Sequence, residues 1–318
     1  PDTMENPNFN GNENLSLLTC VIRDSMVLPS SADDVIKARS LDMLYRTMPK
    51  SGDEISILGF GAMRLPTKRG RIDAARAEAQ ILSSVEQGIN YVDTAMPYHN
   101  GESELFLGKL LSNGLSSKVK IATKLPPWDV KQKEDMDLLL TRQLQKLQTD
   151  CIDYYLLHAM GRKPWKKLMR YDVLEFLERA KRDGKIVNAG FSFHGDGKIF
   201  PEIIDAYDWD FCQIQYNYLD EHTQAGTEGL QNAAEKGIGV IVMEPLRGGD
   251  LSSKIPQRVQ EIWDEADTTR SPAEWALRWV WNNPNVISVL SGMNEETHIE
   301  ENIRIANEAH PESLTEAE

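Results

Sequence analysis

Hydrophobic residues follow two alternating periods along this chain from residue 55 onward. Short runs rich in Val, Ile and Tyr alternate with longer segments in which apolar residues recur at helical spacing. This alternation predicts repeated strand–helix units and a parallel sheet. Eight runs are predicted as strands: 55–61, 89–95, 119–125, 152–158, 185–193, 211–217, 239–245 and 286–292.

The segments between these runs have the faces and ends of amphipathic helices. Ile81, Leu82 and Val85 share one helical face ahead of Gly88, where glycine suits a left-handed cap. Residues 271–274 read Ser-Pro-Ala-Glu, an order that suits the capped first turn of a helix. Eight strands that are each followed by a helix predict an α/β fold, a single-domain (β/α)8 TIM barrel.

An open, doubly wound sheet is the alternative α/β fold. It would place a glycine-rich phosphate loop directly after the first strand. Gly59 and Gly61 supply two glycines of such a loop, but the third is missing, and Pro66 interrupts the polar segment that follows. The barrel is therefore the preferred prediction.

The first 42 residues differ from the rest of the chain. They are rich in Asn, Ser and Asp and show no sustained period of either kind. Such a composition is typical of a flexible extension or a cloning remnant. We therefore predict a barrel domain over residues 43–318, with Met43 as a candidate native start.

Charge limits the classes of partner. The 318 residues include 35 basic and 49 acidic side chains, a formal net charge of −14. This charge repels nucleic acids and anionic membranes, so we expect a small diffusing substrate and neither of those partners. The oligomeric state is not indicated.

Cysteine usage and hydropathy predict a cytoplasmic location. Cys20, Cys151 and Cys212 are few, far apart and in no CxxC arrangement, as in proteins of reducing compartments. No apolar run approaches the roughly 20 residues of a membrane helix, and the N-terminal segment lacks the order of a signal peptide.

Four chemically active side chains fall at or just after predicted strand ends. Asp93 ends the second strand and Tyr98 follows it, while Lys124 and His158 end the third and fourth strands. Each alone has a structural explanation, because such residues often cap helices, pack or face solvent. The C-terminal strand ends of a barrel converge on one cavity, so all four together predict an active site. No cluster of His, Cys and carboxylate has metal-binding spacing, so we expect no metal.

These groups suit proton transfer to a carbonyl oxygen. A phenol with a reference pKa of about 10 is protonated at neutral pH and can donate the proton. The ammonium of Lys124 would lower the pKa of Tyr98, Asp93 would keep Lys124 charged, and His158 could bind the substrate oxygen and relay the proton.

The segments GINYVDTAMPYHNGESELFLG, IATKL, DYYLLH and GFSFH resemble, in this order, the aldo-keto reductases. The resemblance covers essentially residues 45–310. It implies that Asp93, Tyr98, Lys124 and His158 are the catalytic tetrad of an enzyme that moves a hydride between NAD(P)H and a carbonyl substrate. The subgroup it is most similar to often carries a C-terminal ferredoxin-like iron–sulfur segment, which this chain lacks; the natural protein could continue beyond residue 318.

The same resemblance implies the cofactor contacts. Ser192 and Gln213 would bind the nicotinamide carboxamide, and Gly61 and Met63 would line the nicotinamide end beside Asp93. The remaining implied contacts are Glu244, Leu246, Arg247 and Gly249 at the pyrophosphate and Gly292, Asn294, Glu301 and Asn302 at the adenosine end.

Some positions depart from the family pattern. Phe193 stands where many members have Asn, so that amide contact is expected to be lost or taken over by His194. Met243 stands where many stack a Tyr under the nicotinamide. Residues 290–302 contain four Glu and no Lys or Arg, whereas many NADPH-preferring relatives have a basic residue there. Family frequency places NADPH first, and these carboxylates make NADH the alternative.

Two other functions stay open. The chain could be a non-catalytic nicotinamide-binding regulatory subunit, like the channel-associated members of the family, or a Schiff-base aldolase that uses Lys124. The substrate is set by the loops at 128–135 and 159–172, where Trp128 and Trp165 are candidates for an apolar wall.

Overall fold

The computed structural model describes residues 43–315. The predicted extension at residues 1–42 lies outside this part of the chain. The strands are β1 (Tyr45–Thr47), β2 (Glu54–Ser56), β3 (Leu58–Gly61), β4 (Thr67–Lys68), β5 (Arg71–Ile72), β6 (Tyr91–Asp93), β7 (Lys120–Leu125), β8 (Ile152–Met160), β9 (Ile186–Phe193), β10 (Phe211–Gln215), β11 (Gly239–Met243) and β12 (Val286–Ser291).

Eight of these strands form a closed parallel barrel. Its order is β3, β6, β7, β8, β9, β10, β11 and β12, and β12 pairs with β3 to close it. Each predicted run overlaps one barrel strand, which confirms the (β/α)8 fold. The helices are α1 (Ala74–Glu86), α2 (Glu102–Ser112), α3 (Glu134–Leu147), α4 (Arg162–Met169), α5 (Val173–Arg182), α6 (Phe200–Ile204), α7 (Gly226–Glu235), α8 (Asp250–Ser253), α9 (Gln257–Asp264), α10 (Pro272–Trp281) and α11 (Glu296–Glu308).

The first predicted strand, 55–61, is divided in the structure. Its first residues belong to β2, which pairs antiparallel with β1, and only Leu58–Gly61 enters the barrel. Met48, in the turn of this hairpin, and Ile55 are buried with the inner core residues. The hydrophobic pattern did not show the boundary between β2 and β3, because both strands contain buried apolar residues.

Side chains fill the interior of the barrel. Tyr154 makes edge-to-face contacts with Tyr91 and Phe211, with ring centroids 5.3 and 5.0 Å apart. Leu156 and Ile241 are buried in the same inner cluster. Because the centre is packed, a ligand has access to the barrel only at its ends, and the C-terminal end is the usual site of chemistry.

The observed helix ends largely agree with the capping residues that the sequence indicated. Gly88 and Gly184 follow α1 and α5 with φ values of 104° and 69°, the left-handed conformation expected of glycine caps. The Ser271 hydroxyl accepts a hydrogen bond from the Glu274 amide at 3.1 Å. On α1, Leu82 is 39% exposed, so the expected apolar face is narrower than its pattern indicated.

None of the described helices is long and apolar enough to cross a membrane.

Candidate active site

Three neighbouring strands bring the predicted tetrad together. Asp93 ends β6, Lys124 lies near the end of β7, and His158 lies near the end of β8. Tyr98 begins the single turn that follows β6, and the next two residues both have positive φ, which turns the chain sharply into α2. Short connections at the strand ends therefore place all four side chains at the C-terminal mouth.

Lys124 is the centre of the cluster. Its Nζ lies 2.6 Å from Asp93 Oδ1, donates to the Thr94 carbonyl at 2.8 Å and to the Tyr98 hydroxyl oxygen at 3.3 Å. The side chain is 1% exposed. Three donors meet three acceptors, so the ammonium is buried with its hydrogen bonds satisfied.

Burial controls the acidity of the cluster. Burial lowers the pKa of Lys124, but Asp93 and Tyr98 outweigh it, so the pKa lies above its ordinary value. Burial raises the pKa of Asp93 against the opposing attraction of Lys124. It also raises the pKa of Tyr98; Lys124 lowers this pKa, as expected, but by less. Tyr98 is therefore protonated at neutral pH.

His158 faces the same space as Tyr98. Its ring is perpendicular to that of Tyr98, with centroids 6.3 Å apart, and 5.1 Å from the ring of Trp128. Burial, followed by the positive charge of Lys124, lowers the pKa of His158 to about 3. The imidazole is thus neutral at physiological pH, and its buried Nδ1 has no hydrogen-bond partner among residues 43–315.

The two tryptophans that were candidates for an apolar substrate wall have different surroundings. Trp128 is 49% exposed beside His158. Trp165 is buried and packs against Trp209 at 6.4 Å. Trp128 is therefore available to a substrate, whereas Trp165 belongs to the core.

Ser192 and Gln213 lie side by side on β9 and β10, where they are register partners. Both are buried, and the Gln213 amide donates to Met243 Sδ at 3.5 Å. Gln213 Oε1 has no partner within the described chain. A buried, unsatisfied amide oxygen beside a hydroxyl is a suitable receptor for the carboxamide of a nicotinamide.

Phe193 turns away from this pair. It is buried and packs edge-to-face on Phe200 at 5.0 Å. The next residue, His194, is held by a hydrogen bond with Gln224, and burial lowers its pKa. Phe193 therefore cannot replace the missing amide, while His194 stays at the mouth.

A cavity of about 450 Å³ lies between the segment that follows β11, the end of β12 and α11. Seven residues with implied cofactor roles line it: Glu244, Leu246, Gly249, Gly292, Asn294, Glu301 and Asn302. A Cβ on Gly292 would lie 3.2 Å from the Arg64 side chain, so a larger residue at this position would crowd Arg64 in the cavity wall. A cavity lined by glycines and polar side chains fits the phosphate and adenosine part of a dinucleotide.

The arginine that lines the cavity is not the one that the sequence indicated. Arg247 is not among the lining residues; its Nε lies 3.7 Å from Asp220 Oδ2 and its side chain is 50% exposed. Arg64 lines the cavity instead and donates to the Gly248 carbonyl at 3.0 Å. The sequence pattern does not indicate Arg64 as a cofactor contact, although a basic residue three residues after the end of β3 lies near the C-terminal face of the barrel.

Three carboxylates, Glu301 in the cavity wall and Glu295 and Glu296 next to Asn294, lie at or near the α11 end of the cavity. Glu301 accepts from the Ser271 hydroxyl at 2.6 Å, and Asn302 donates to Ser291 Oγ at 3.0 Å. Arg76, on α1, is paired with Glu295 and Glu296. Of the cavity's lining residues only Arg64 is an arginine or lysine, and it lies by Gly248 rather than at this end.

Comparisons with known proteins agree with this geometry. A model of the aldo/keto reductase family matches residues 57–316. Over 192 residues the chain is 30% identical to aflatoxin B1 aldehyde reductase member 2 of Rattus norvegicus; the match spans 58% of this chain and 51% of that relative, about half its length. Over 298 residues it is 24% identical to the NADH-specific methylglyoxal reductase of Escherichia coli (strain K12), covering 80% of this chain and 90% of that protein.

A solved structure is also similar. The holo form of aldo-keto reductase AKR11C1 from Bacillus halodurans superposes with a TM-score of 0.71 at 27% identity, covering 86% of this chain and 93% of that one. The family match extends over most of the chain and includes the strands that carry the tetrad. This chain therefore belongs to the aldo/keto reductase family, whose general activity is NAD(P)H-dependent carbonyl reduction.

Proposed function

We propose that the protein reduces aldehydes or ketones to alcohols, with Tyr98 as the proton donor. The observation that carries this proposal is the single ammonium of Lys124 between Asp93 Oδ1 at 2.6 Å and the Tyr98 hydroxyl at 3.3 Å. A protonated phenol next to a buried cation can give up its proton as negative charge develops on a substrate oxygen.

The reaction balances with one hydride and one proton. A reduced nicotinamide, when bound, would supply the hydride that the carbonyl carbon receives. Tyr98 donates its proton to the carbonyl oxygen, and Lys124 stabilises the phenolate that remains. His158 is neutral, because its pKa is lowered to about 3, so it can donate an N–H hydrogen bond to the same oxygen.

The cofactor contacts are proposed on the same basis. Ser192 and Gln213 would hold the carboxamide and so select which ring face meets the substrate. The segment with Leu246 and Gly249 would wrap the pyrophosphate, and Arg64, in the cavity wall, adds a cation there. Arg247 would reach the pyrophosphate only by leaving Asp220.

NADPH and NADH are both candidates. Family frequency favours NADPH, but the adenosine end supports NADH as a serious alternative, since Glu301 lines the cavity and Arg76 is already paired with Glu295 and Glu296. A charged hydrogen bond to the 2′-phosphate is worth about 1.5 to 3 kcal/mol. Without it, we expect an NADPH preference below about a hundredfold.

The decisive test is Tyr98→Phe, which removes the hydroxyl and keeps the ring. We expect cofactor affinity to survive and carbonyl reduction to fall by about 10² to 10⁴, the usual contribution of general acid catalysis. Steady-state kinetics with NADPH and NADH over a panel of aldehydes, ketones and quinones, with calorimetric cofactor affinities, measure both quantities. A variant within about threefold of the parent rate would remove Tyr98 from the mechanism.

The same measurements separate the alternative functions. Tight cofactor binding without turnover of any carbonyl compound would favour the regulatory subunit. An aldolase needs Lys124 as a free amine, and the raised pKa of Lys124 argues against this role. Borohydride trapping with a carbonyl substrate should therefore leave no adduct on Lys124.

A further inference from the structure

The helix that follows the strand of His158 has the opposite charge from the molecule as a whole. Residues 159–171 contain five basic side chains and no acidic one, in a chain of net charge −14. Four of these basic residues are exposed, and three of the four, Arg162, Lys163 and Lys166, lie within α4. Within residues 43–315 no ion pair involves these three, so their charge is available to a ligand. We call α4 the basic helix.

The basic helix is connected to the active site through Trp128. Lys167 Nζ donates to the Pro127 carbonyl at 2.7 Å and to the Trp128 carbonyl at 3.3 Å. The Trp128 ring lies 5.1 Å from the His158 ring. The helix therefore borders the mouth from which a substrate would reach His158.

Lys163 is the cation best placed along this border. It precedes Lys167 by one helical turn, so the two side chains lie on one stripe of the helix. Helical side chains also lean towards the N-terminal end of the helix, which here adjoins β8. Lys163 thus lies one turn nearer than Lys167 to the end of the strand that carries His158.

Nearby carboxylates only partly offset the cations of the basic helix. Asp172 and Glu175, which follow it, are paired with Lys133 at 3.1 and 2.7 Å. Asp129, next to Trp128, is exposed. Without the basic helix, the net negative charge of the protein would disfavour an anion at this mouth.

We propose that the substrate carries an anionic group, a carboxylate or a phosphate ester, which binds Lys163 and its neighbours on the basic helix. The carbon skeleton would lie against Trp128, and the carbonyl would face Tyr98 and His158. This inference rests on the proposed carbonyl reduction and adds the substrate class.

The test compares 4-carboxybenzaldehyde with its methyl ester, which differs chiefly in charge. We expect a higher kcat/KM for the carboxylate at low salt, declining as NaCl is raised to 0.3 M, with little change for the ester. Lys163→Gln should lower the ratio of the two kcat/KM values by about three- to fivefold, the size of one exposed ion pair. The triple variant Arg162→Gln/Lys163→Gln/Lys166→Gln should lower it by about tenfold or more.

Lys118→Gln is the matched control, because Lys118 is an exposed lysine just before β7, at the opposite end of the barrel. It should leave the ratio unchanged. Equal kcat/KM values for the acid and the ester, or equal effects of Lys163→Gln and Lys118→Gln, would overturn the inference while leaving carbonyl reduction intact.

Calorimetry separates this inference from the proposed function. If neither aldehyde is reduced with NADPH or NADH, carbonyl reduction fails, but binding of 4-carboxybenzyl alcohol in the presence of oxidised cofactor still reports on the basic helix. Binding that weakens in Lys163→Gln supports the anion site, and binding that matches the Lys118→Gln control contradicts it.

Discussion

Lys124 illustrates how a charged residue is stabilised in the interior of a barrel. Its ammonium is 1% exposed, and a buried cation without partners would be strongly unfavourable. Asp93, the Thr94 carbonyl and Tyr98 together satisfy its donors. The contacts that stabilise the buried ammonium also orient it towards the phenol. A substitution of Lys124 therefore affects both the stability of the barrel and the chemistry proposed for Tyr98.

Lys124→Met should therefore affect both rate and stability. Without the ammonium, nothing opposes the effect of burial on the pKa of Tyr98, and we expect reduction to fall by about 10² to 10⁴. The unpaired Asp93 should cost about 3 to 5 kcal/mol in the free energy of unfolding. Kinetics and urea unfolding measure the two effects. The double variant Asp93→Asn/Lys124→Met should recover part of the free energy of unfolding but should not recover the rate of reduction.

The rate losses of Lys124→Met and Tyr98→Phe should not add. Both substitutions disable one proton-transfer unit, so the double variant should be little slower than the slower single variant. A double variant whose loss equals the product of the two single losses would show that Lys124 acts independently of Tyr98.

At the scale of elements, two helices set the spacing between Tyr98 and Lys124. α2 follows the turn of Tyr98, and α3 follows the strand of Lys124. Buried Glu104 of α2 accepts hydrogen bonds from Thr123 and Gln143, each at 2.8 Å. The two helices also come very close at Gly108, where a Cβ would lie 2.0 Å from the Lys146 carbonyl oxygen.

Gly108→Ala should consequently destabilise the protein. Alanine is favoured over glycine within a helix by about 1 kcal/mol, so local propensity alone predicts stabilisation. The clash with backbone atoms of α3 should reverse the sign and cost about 1 to 3 kcal/mol. Urea unfolding measures the change, with Lys109→Ala at the next, exposed position as the control. Equal stability of Gly108→Ala and the parent would mean that the helices can separate freely.

At the scale of the whole molecule, barrel closure builds the α11 end of the cavity, where the adenosine is proposed to bind. Pairing of β12 with β3 brings the first and last helices together, so Arg76 of α1 meets Glu295 and Glu296 at the start of α11. Gln80 of α1 also donates to the carbonyl of Asn294, which lines the cavity. We therefore expect cofactor preference to depend on contacts between the two ends of the barrel domain.

Glu295→Gln/Glu296→Gln should shift this preference towards NADPH. The substitution removes two negative charges beside the cavity and leaves Arg76 without its partners. We expect the affinity ratio of NADPH to NADH to rise by about tenfold, since each nearby charge contributes on the order of 1 kcal/mol in water. Calorimetry gives both dissociation constants. Glu228→Gln/Glu235→Gln, two exposed positions on α7, make the same change in net charge and should not alter the ratio.

The sequence by itself determined the class of fold and indicated the residues of the candidate active site. Each strand and helix has its own local period, so the eight barrel strands could be located without any long-range contact. The strand ends then indicated Asp93, Lys124 and His158 as candidates, because in a parallel barrel all C-terminal ends meet at one face. The family of the chain followed from the same segments.

Only the tertiary structure decided which side chains are exposed and which distant residues meet. Arg64 lines the cavity by a contact with Gly248, 184 residues away, and Trp128 is exposed while Trp165 is buried. The pKa of Tyr98 is raised because burial outweighs Lys124, although the sequence indicated only the charge. The physical reason is common to these cases: periodicity reports local geometry, whereas desolvation and long-range contact exist only after the barrel has closed.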